Sequence, residues 1–220
     1  YAHAVGAVYR NADPSDIVVT AAGGLVGEVV QVWKPKQINT FETEWGFSCM
    51  GYEISGALGI KMAKPDQDVV VFLGDGSYLL SNSDIYSSVL YDQKLIIVLC
   101  DNGGHMVINR LQLAKGGKEY ICNLRSARAK NLQFVDFENH ARSLGANAET
   151  VNSTSELEAA YKRAKDSDKT YVIVIKTHGY EWLEGSAFWE SPTLQDPITK
   201  ENKEALADFK GGKDKQRKGV

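Results

Sequence analysis

The sequence is short of everything that would cross-link a chain or seat it in a bilayer. Its 220 residues include three cysteines, Cys49, Cys100 and Cys122, and no C-x-x-C pair. So few, widely spaced thiols make neither a disulfide framework nor a cysteine zinc site, and they fit a reducing, cytoplasmic compartment. No run of about 18 apolar residues occurs, so no membrane-spanning helix is expected. There is no surplus of positive charge either: 25 Lys and Arg stand against 28 Asp and Glu, a formal net charge of −3. Basic residues gather in the tail from Lys210 to Val220, which leaves an acidic body unsuited to nucleic acid. No G-x-G-x-x-G follows a strand-like run, which argues against a nicotinamide-binding dehydrogenase. The chain begins at Tyr1 without a Met or a basic-then-apolar leader, and it reads as a piece of a longer polypeptide with no secretory signal.

What is present is an alternation of strand-like and helix-like segments, in a chain that is 43% hydrophobic and 24% charged. Ile17 to Thr20 is a short β-branched run. A turn at Gly23-Gly24-Leu25 and a helix from about Val26 to Trp33 follow it. Gly46 to Ala63 reads as a turn entering a helix that Pro65 stops. Val69 to Leu73 and Leu95 to Cys100 are continuous apolar runs, as expected of strands covered on both faces. A helix over Asn82 to Tyr91 lies between them. Asp136 caps a helix that Gly145 ends, Ala148 to Val151 is a strand, Ser155 caps a further helix, and Tyr171 to Lys176 is the last strand. The buried thiols Cys49 and Cys100 read as small apolar side chains.

This order predicts an α/β fold: a three-layer sandwich with a mainly parallel sheet and helices on both faces. One domain is expected over residues 1–185. Residues 103–135 form its least regular stretch, and 186–220 form a polar, partly flexible extension.

Ligands in such sheets lie at the carboxyl ends of the strands. Two of those ends carry oxygen chemistry. Gly74-Asp75-Gly76-Ser77 follows the Val69 run, and Asp101-Asn102-Gly103-Gly104 follows the Leu95 run. An Asp-Gly turn alone is commonplace. Two such turns on neighbouring parallel strands, one crossover apart, bring a carboxylate and an amide oxygen together. Hard oxygen donors of this kind suit Mg²⁺, which keeps several positions for phosphate and water. The Gly104 carbonyl is a third candidate ligand, and Ser77 a candidate phosphate donor. The residues therefore read as a Mg-diphosphate site.

Gly74-Asp75-Gly76 with Asn102 on the next strand resembles the metal and diphosphate signature of thiamine-diphosphate enzymes, in which Asp101 stands where Asn is usual. The resemblance implies that Asp75 and Asn102 bind Mg²⁺ by side chains and Gly104 by its carbonyl. It implies diphosphate contacts from Gly74, Gly76, Ser77 and the Gly23-Gly24-Leu25 turn. Gly46-Phe47-Ser48-Cys49-Met50-Gly51 is similar to the family's aminopyrimidine turn. There Ser48 would offer its carbonyl to the amino group, and Met50 would be the apolar wedge that bends the cofactor.

Beyond these motifs, the run Glu44 to Glu53 and the segment Thr177-His178-Gly179-Tyr180 resemble the branch that hydrolyses a C–C bond of a cyclic 1,2-dione in inositol catabolism. Acetohydroxyacid synthases or 2-oxoacid decarboxylases are the alternative branch, and a non-catalytic Mg-diphosphate module is a third reading. The family implies a small-molecule substrate, a homo-oligomer (dimer or tetramer) and a separate pyrimidine-binding domain that carries the activating glutamate. This chain resembles only the diphosphate-binding domain and by itself is expected to be inactive. Glu44 and Glu53 read as polar contacts or helix-start charge rather than as that glutamate. His105, Asn109 and His178 are lesser candidates for ligand contact, and Trp182 and Trp189 for a partner surface or the domain edge.

Overall fold

The computed structural model of the chain describes residues 1–184 and 193–216. In chain order the elements are α1 (Ala2–Asn11), β1 (Ile17–Thr20), α2 (Gly23–Val32), β2 (Phe41–Thr43), α3 (Tyr52–Ala63), β3 (Val69–Gly74), α4 (Asp75–Leu80) and α5 (Ser83–Leu90). They continue with β4 (Ile96–Asp101), α6 (Met106–Ala114), a 3₁₀ turn at Leu124–Ser126, α7 (Phe137–Ser143), β5 (Asn147–Val151), α8 (Thr154–Asp166), β6 (Tyr171–Lys176) and α9 (Lys200–Asp214). Among the described residues the strands form one six-stranded sheet in the order β2-β1-β3-β4-β6-β5. Every pairing in it is parallel.

The apolar runs explain the layers. Successive side chains of a strand point to opposite faces, so a run with no polar break needs cover on both sides. Val70, Phe72, Ile96 and Val98 pack on one face with Val5 and Val8 of α1, Leu25 and Val29 of α2, and Leu157 and Tyr161 of α8. Val69, Val71, Leu73, Ile97 and Leu99 pack on the other with Ile54 of α3, Tyr78 of α4, Ile85 of α5 and Phe137 of α7. The expected three-layer α/β sandwich is thus built from two cores on one sheet.

Strand order reverses between β1 and β3: the β1–α2–β2 crossover runs outward one way, and the chain re-enters on the other side of β1. Such a switch point leaves a crevice beyond the carboxyl ends of the strands. The register Leu73↔Leu99 and Gly74↔Cys100 sets the end of β3 level with the end of β4.

Several local expectations change. Ser153, not Ser155, caps α8: its hydroxyl accepts the Glu156 N–H at 3.1 Å, and the Glu156 carboxylate accepts the N–H of Asn152, the residue before the cap, at 2.8 Å. Cys100 is buried as expected, but Cys49 is exposed, because the turn that carries it stands off the sheet. The irregular stretch contains α6. The polar extension contains α9, capped by the reciprocal Thr199 and Asn202 pair. Asn202 also donates to the carbonyls of Lys115 (3.3 Å) and Gly116 (2.9 Å), and Leu206 one turn on is buried, so α9 is anchored by hydrogen bonds and a single apolar residue rather than by a full hydrophobic stripe. The expectation for Trp189 lies outside the described residues.

Phe72 is fully buried, with its ring edge-on to Trp33 at a centroid distance of 6.0 Å. Phe72→Ala is expected to cost about 3–5 kcal/mol, read as a lower urea midpoint at unchanged slope.

Candidate cofactor site

Three strand-end segments meet at the crevice. The first follows β1. Ala22 is extended, and α2 starts at Gly23 rather than at Val26, so the expected turn is the helix's first turn. Its unpaired backbone N–H groups therefore open at the strand end. Leu25 is buried in the core, so only its backbone is left to face a ligand. The second segment follows β3, where Gly74 leads directly into α4 and Asp75 is its first residue. The third follows β4, where Asp101 ends the strand and the chain turns through Gly103 (φ 79°) and Gly104 (φ 141°).

Asp75 is 3% exposed, and its Oδ2 accepts the Gly104 N–H at 2.7 Å. That bond joins the β3 and β4 ends as the spacing predicts. Gly104 is required there: a Cβ would stand 2.2 Å from the Cys122 carbonyl oxygen. Asn102 donates its Nδ2 to the Tyr1 hydroxyl, while its Oδ1 is buried without a hydrogen-bond partner. A buried acceptor left unpaired costs about 1–3 kcal/mol, so this oxygen is aimed at something absent from the chain itself. Asp101 accepts the Gly103 N–H at 3.0 Å and pairs with Lys176 across the sheet.

The electrostatics agree. Burial, and then the nearby Asp101 carboxylate, push the Asp75 carboxyl from its ordinary 3.8 up to about 6. A buried carboxylate beside a second one and an orphaned amide oxygen is relieved by a cation. Among the described residues no group of three His, Cys, Asp or Glu side chains could hold a metal. The donors present are carboxylate and amide oxygens, with the Gly104 carbonyl nearby. They fit a hard, oxygen-preferring ion such as Mg²⁺ and do not fit zinc.

The turn before α3 reaches the same place. Glu44 organises it, accepting the N–H groups of Phe47 (2.9 Å) and Cys49 (2.7 Å), which holds the carboxyl below its ordinary range. Ser48 is left-handed at φ 52°. Met50 is 37% exposed, which sets it outside both cores. A Cβ on Gly76 would lie 3.0 Å from the Met50 Cε and 2.8 Å from the His105 ring, so Met50, Gly76 and His105 converge.

The lesser candidates separate. His105 stays at the site. Asn109 is buried, and its Nδ2 donates to Glu119 at 2.8 Å, tying α6 to the following loop. His178 is exposed at the rim of a cavity of about 420 Å³ that also borders Asn102 and Lys176. Trp182 lies under the Arg110 guanidinium, 4.4 Å from its centroid. Sequence reasoning missed Tyr1, whose contact with Asn102 spans 101 positions and leaves no local signal. It also missed the buried Glu28, whose carboxylate accepts the N–H of Ala2 at 2.8 Å and of Leu183 at 3.3 Å.

The family follows from this geometry together with one further match. Residues 21–175 match the model of the thiamine pyrophosphate enzyme, C-terminal TPP binding domain, and the chain belongs to that family. Two relatives are each named 3D-(3,5/4)-trihydroxycyclohexane-1,2-dione hydrolase. That of Halalkalibacterium halodurans is 39% identical over 175 residues, covering 77% of this chain and 27% of the relative. That of Lacticaseibacillus casei is 36% identical over 218 residues, covering 96% of this chain and 33% of the relative. The chain therefore spans about a third or less of the length of these relatives. The fold is shared with a thiamine diphosphate-dependent 4-hydroxybenzoylformate decarboxylase of Rhodococcus jostii RHA1, at TM-score 0.70 and 18% identity over 80% of this chain and 32% of that one. It is shared too with benzoylformate decarboxylase from Polynucleobacter necessarius, at TM-score 0.67 and 22% identity over 80% of this chain and 33% of that one.

A carboxyl whose folded pKa lies above its unfolded value adds stability that is complete below the unfolded value and lost as pH rises through the folded one. With chelator present, the protein is expected to lose on the order of 2–3 kcal/mol between pH 4 and pH 7 through Asp75. Asp75→Asn removes that slope. Urea melts across the range check this, and equal slopes in the two proteins would refute it.

Proposed function

We propose that this chain holds thiamine diphosphate through Mg²⁺, as the cofactor domain of a cytoplasmic enzyme that hydrolyses a C–C bond of a cyclic 1,2-dione in inositol catabolism. One observation carries the cofactor reading: the unpartnered, buried Oδ1 of Asn102 beside the buried carboxylate of Asp75. The substrate reading rests on the relatives' names and on the length over which they match.

In this reading Asp75, Asn102 and the Gly104 carbonyl hold the metal. The backbone N–H groups at Gly23, Gly24, Gly76 and Ser77 receive the diphosphate, aided by helix starts that favour anions. Gly74 and Gly76 keep the strand end free of side chains where the ligand approaches. Ser48 offers its carbonyl to the aminopyrimidine. Met50, half-exposed above Gly76, is the wedge that keeps the cofactor bent. Bound in this way, thiamine diphosphate supplies an electron sink next to a carbonyl carbon.

For the whole protein, water adds across the bond between the two carbonyl carbons and opens the ring to a chain with a carboxylate and an aldehyde. The activating glutamate belongs to a pyrimidine-binding domain, in the same polypeptide or in a partner copy of a homo-oligomer. Exposed Phe47, Leu79 and Leu80 beside the cofactor turns suit contact with such a domain, which would exclude water from the reacting atoms.

Calorimetric titration of thiamine diphosphate into the full-length protein, with and without Mg²⁺, tests the site. Mg-dependent binding is expected. Asp75→Ala should weaken it beyond the roughly 10–100-fold that losing an outer-shell partner costs. Unchanged Mg dependence in that variant would remove Asp75 from the ligand set. Assaying the cyclic dione against pyruvate tests the substrate: turnover of pyruvate alone would move the protein to the synthase or decarboxylase branch.

A further inference from the structure

One buried charge has no part in the scheme above. Glu53, in the first turn of α3, is fully buried, and no ion pair to it exists among the described residues. An unpaired interior carboxylate is costly unless N–H and O–H donors surround it. Its neighbours come from three separate places. Oε1 accepts the Ala22 N–H at 3.2 Å and Oε2 accepts the Gly51 N–H at 2.9 Å, and the nearby Ser77 hydroxyl favours the charged form. Ala22 is the residue that launches α2. Gly51 follows Met50 and has φ 95°, and Ser77 closes the Gly74-Asp75-Gly76 segment.

The three neighbours belong to the β1 end, the aminopyrimidine turn and the β3 end. They are the segments assigned above to the diphosphate and to the bent ring, and this one carboxylate is bonded to the first two and lies against the third. Helix packing alone would be served by an apolar residue at position 53, as it is by Ile54 and Ala57 next to it. Burial holds the carboxyl above its ordinary range, and the surrounding donors oppose that shift.

We propose that Glu53 is a positioning residue, a buried carboxylate clamp that sets the Met50 turn against the two diphosphate-binding strand ends and so fixes the shape in which the cofactor is held. The proposal rests on the thiamine-diphosphate reading. It adds a residue that touches neither cofactor nor metal but determines how the groups that touch them are spaced. Gln in its place keeps the size, yet turns one accepting oxygen into an N–H₂ group that confronts the backbone N–H of Ala22 or of Gly51. One turn is then released while the fold stays intact.

The test compares Glu53→Gln with Asp16→Asn in the full-length protein. Asp16 is also a buried carboxylate, bonded to Tyr161 and Lys165 at 2.9 Å, but it lies at the opposite, amino-terminal end of β1. Melting temperature and the Kd for thiamine diphosphate at saturating Mg²⁺ are measured for each. Both variants are expected to melt lower. Only Glu53→Gln is expected to raise the cofactor Kd, by about 10–100-fold as for other supporting contacts of a ligand site. A Kd within about twofold of wild type in folded Glu53→Gln would overturn the clamp, as would an equal rise in Asp16→Asn. Wild-type protein that fails to bind thiamine diphosphate would instead overturn the cofactor reading. Should Glu53→Gln not fold, amide exchange in wild-type protein decides: the Ala22 and Gly51 amides are expected to slow together when cofactor binds. Exchange at those two amides that cofactor leaves unchanged would count against the proposal.

Discussion

Asp75 is a carboxylate that the fold has pushed out of water, and no cationic side chain among the described residues is paired with it. Burial and the neighbouring Asp101 both oppose its charge, and the amide oxygen of Asn102 faces the same space with nothing to accept from. An interior charge of this kind is tolerable only with a counterion, a proton or a set of donors. The Gly104 N–H supplies one donor at 2.7 Å, and the backbone N–H groups of Gly76 and of Asp75 itself ease the charge further without offsetting burial. The remainder of the structure serves this arrangement. A sheet covered on both faces has no exposed surface of its own, so polar chemistry is confined to the strand ends. The level ends of β3 and β4 bring Asp75 and Asn102 to one point.

Asp101 gives that constraint a local twist. It stands where the family's motif usually has Asn, and its carboxylate raises the negative field around Asp75. It does not remain a bare charge. Parallel pairing sets Asp101 against Lys176 in register, and their side chains form an ion pair across the sheet. Asp101 also holds the Gly103 N–H, which shapes the turn that delivers Gly104. Asp101 therefore ties the β4 turn to the β6 end, where the cavity bordered by His178 begins.

The motifs were legible because their spacing is local. Gly74-Asp75-Gly76 and Asp101-Asn102 each end an apolar run, and apolar runs of that length are readable as buried strands. Met50 was legible only by resemblance, since an apolar residue in a turn carries no periodic signal; its exposure is what separates it from the core. Helices whose stability comes from elsewhere were hidden. In α9 the hydrogen bonds of Asn202 to Lys115 and Gly116 act together with the single buried Leu206, and one apolar position leaves no hydrophobic stripe to read. The three-residue β2 was equally silent, because an edge strand so short has no alternation to display.

By itself, then, the sequence determined the α/β class, the strands covered on both faces and the pair of strand ends that carry oxygen-bearing side chains. Each of these follows from side-chain periodicity and from glycine beside an acid, and both are properties of consecutive residues. Tertiary structure alone decided that Asn102 is steered by Tyr1, that Met50 stands over Gly76, and that Glu53 bonds the β1 end and the Met50 turn at once. Those contacts join positions far apart in the chain, and a hydrogen bond between distant residues exists only once the sheet's register has set their separation.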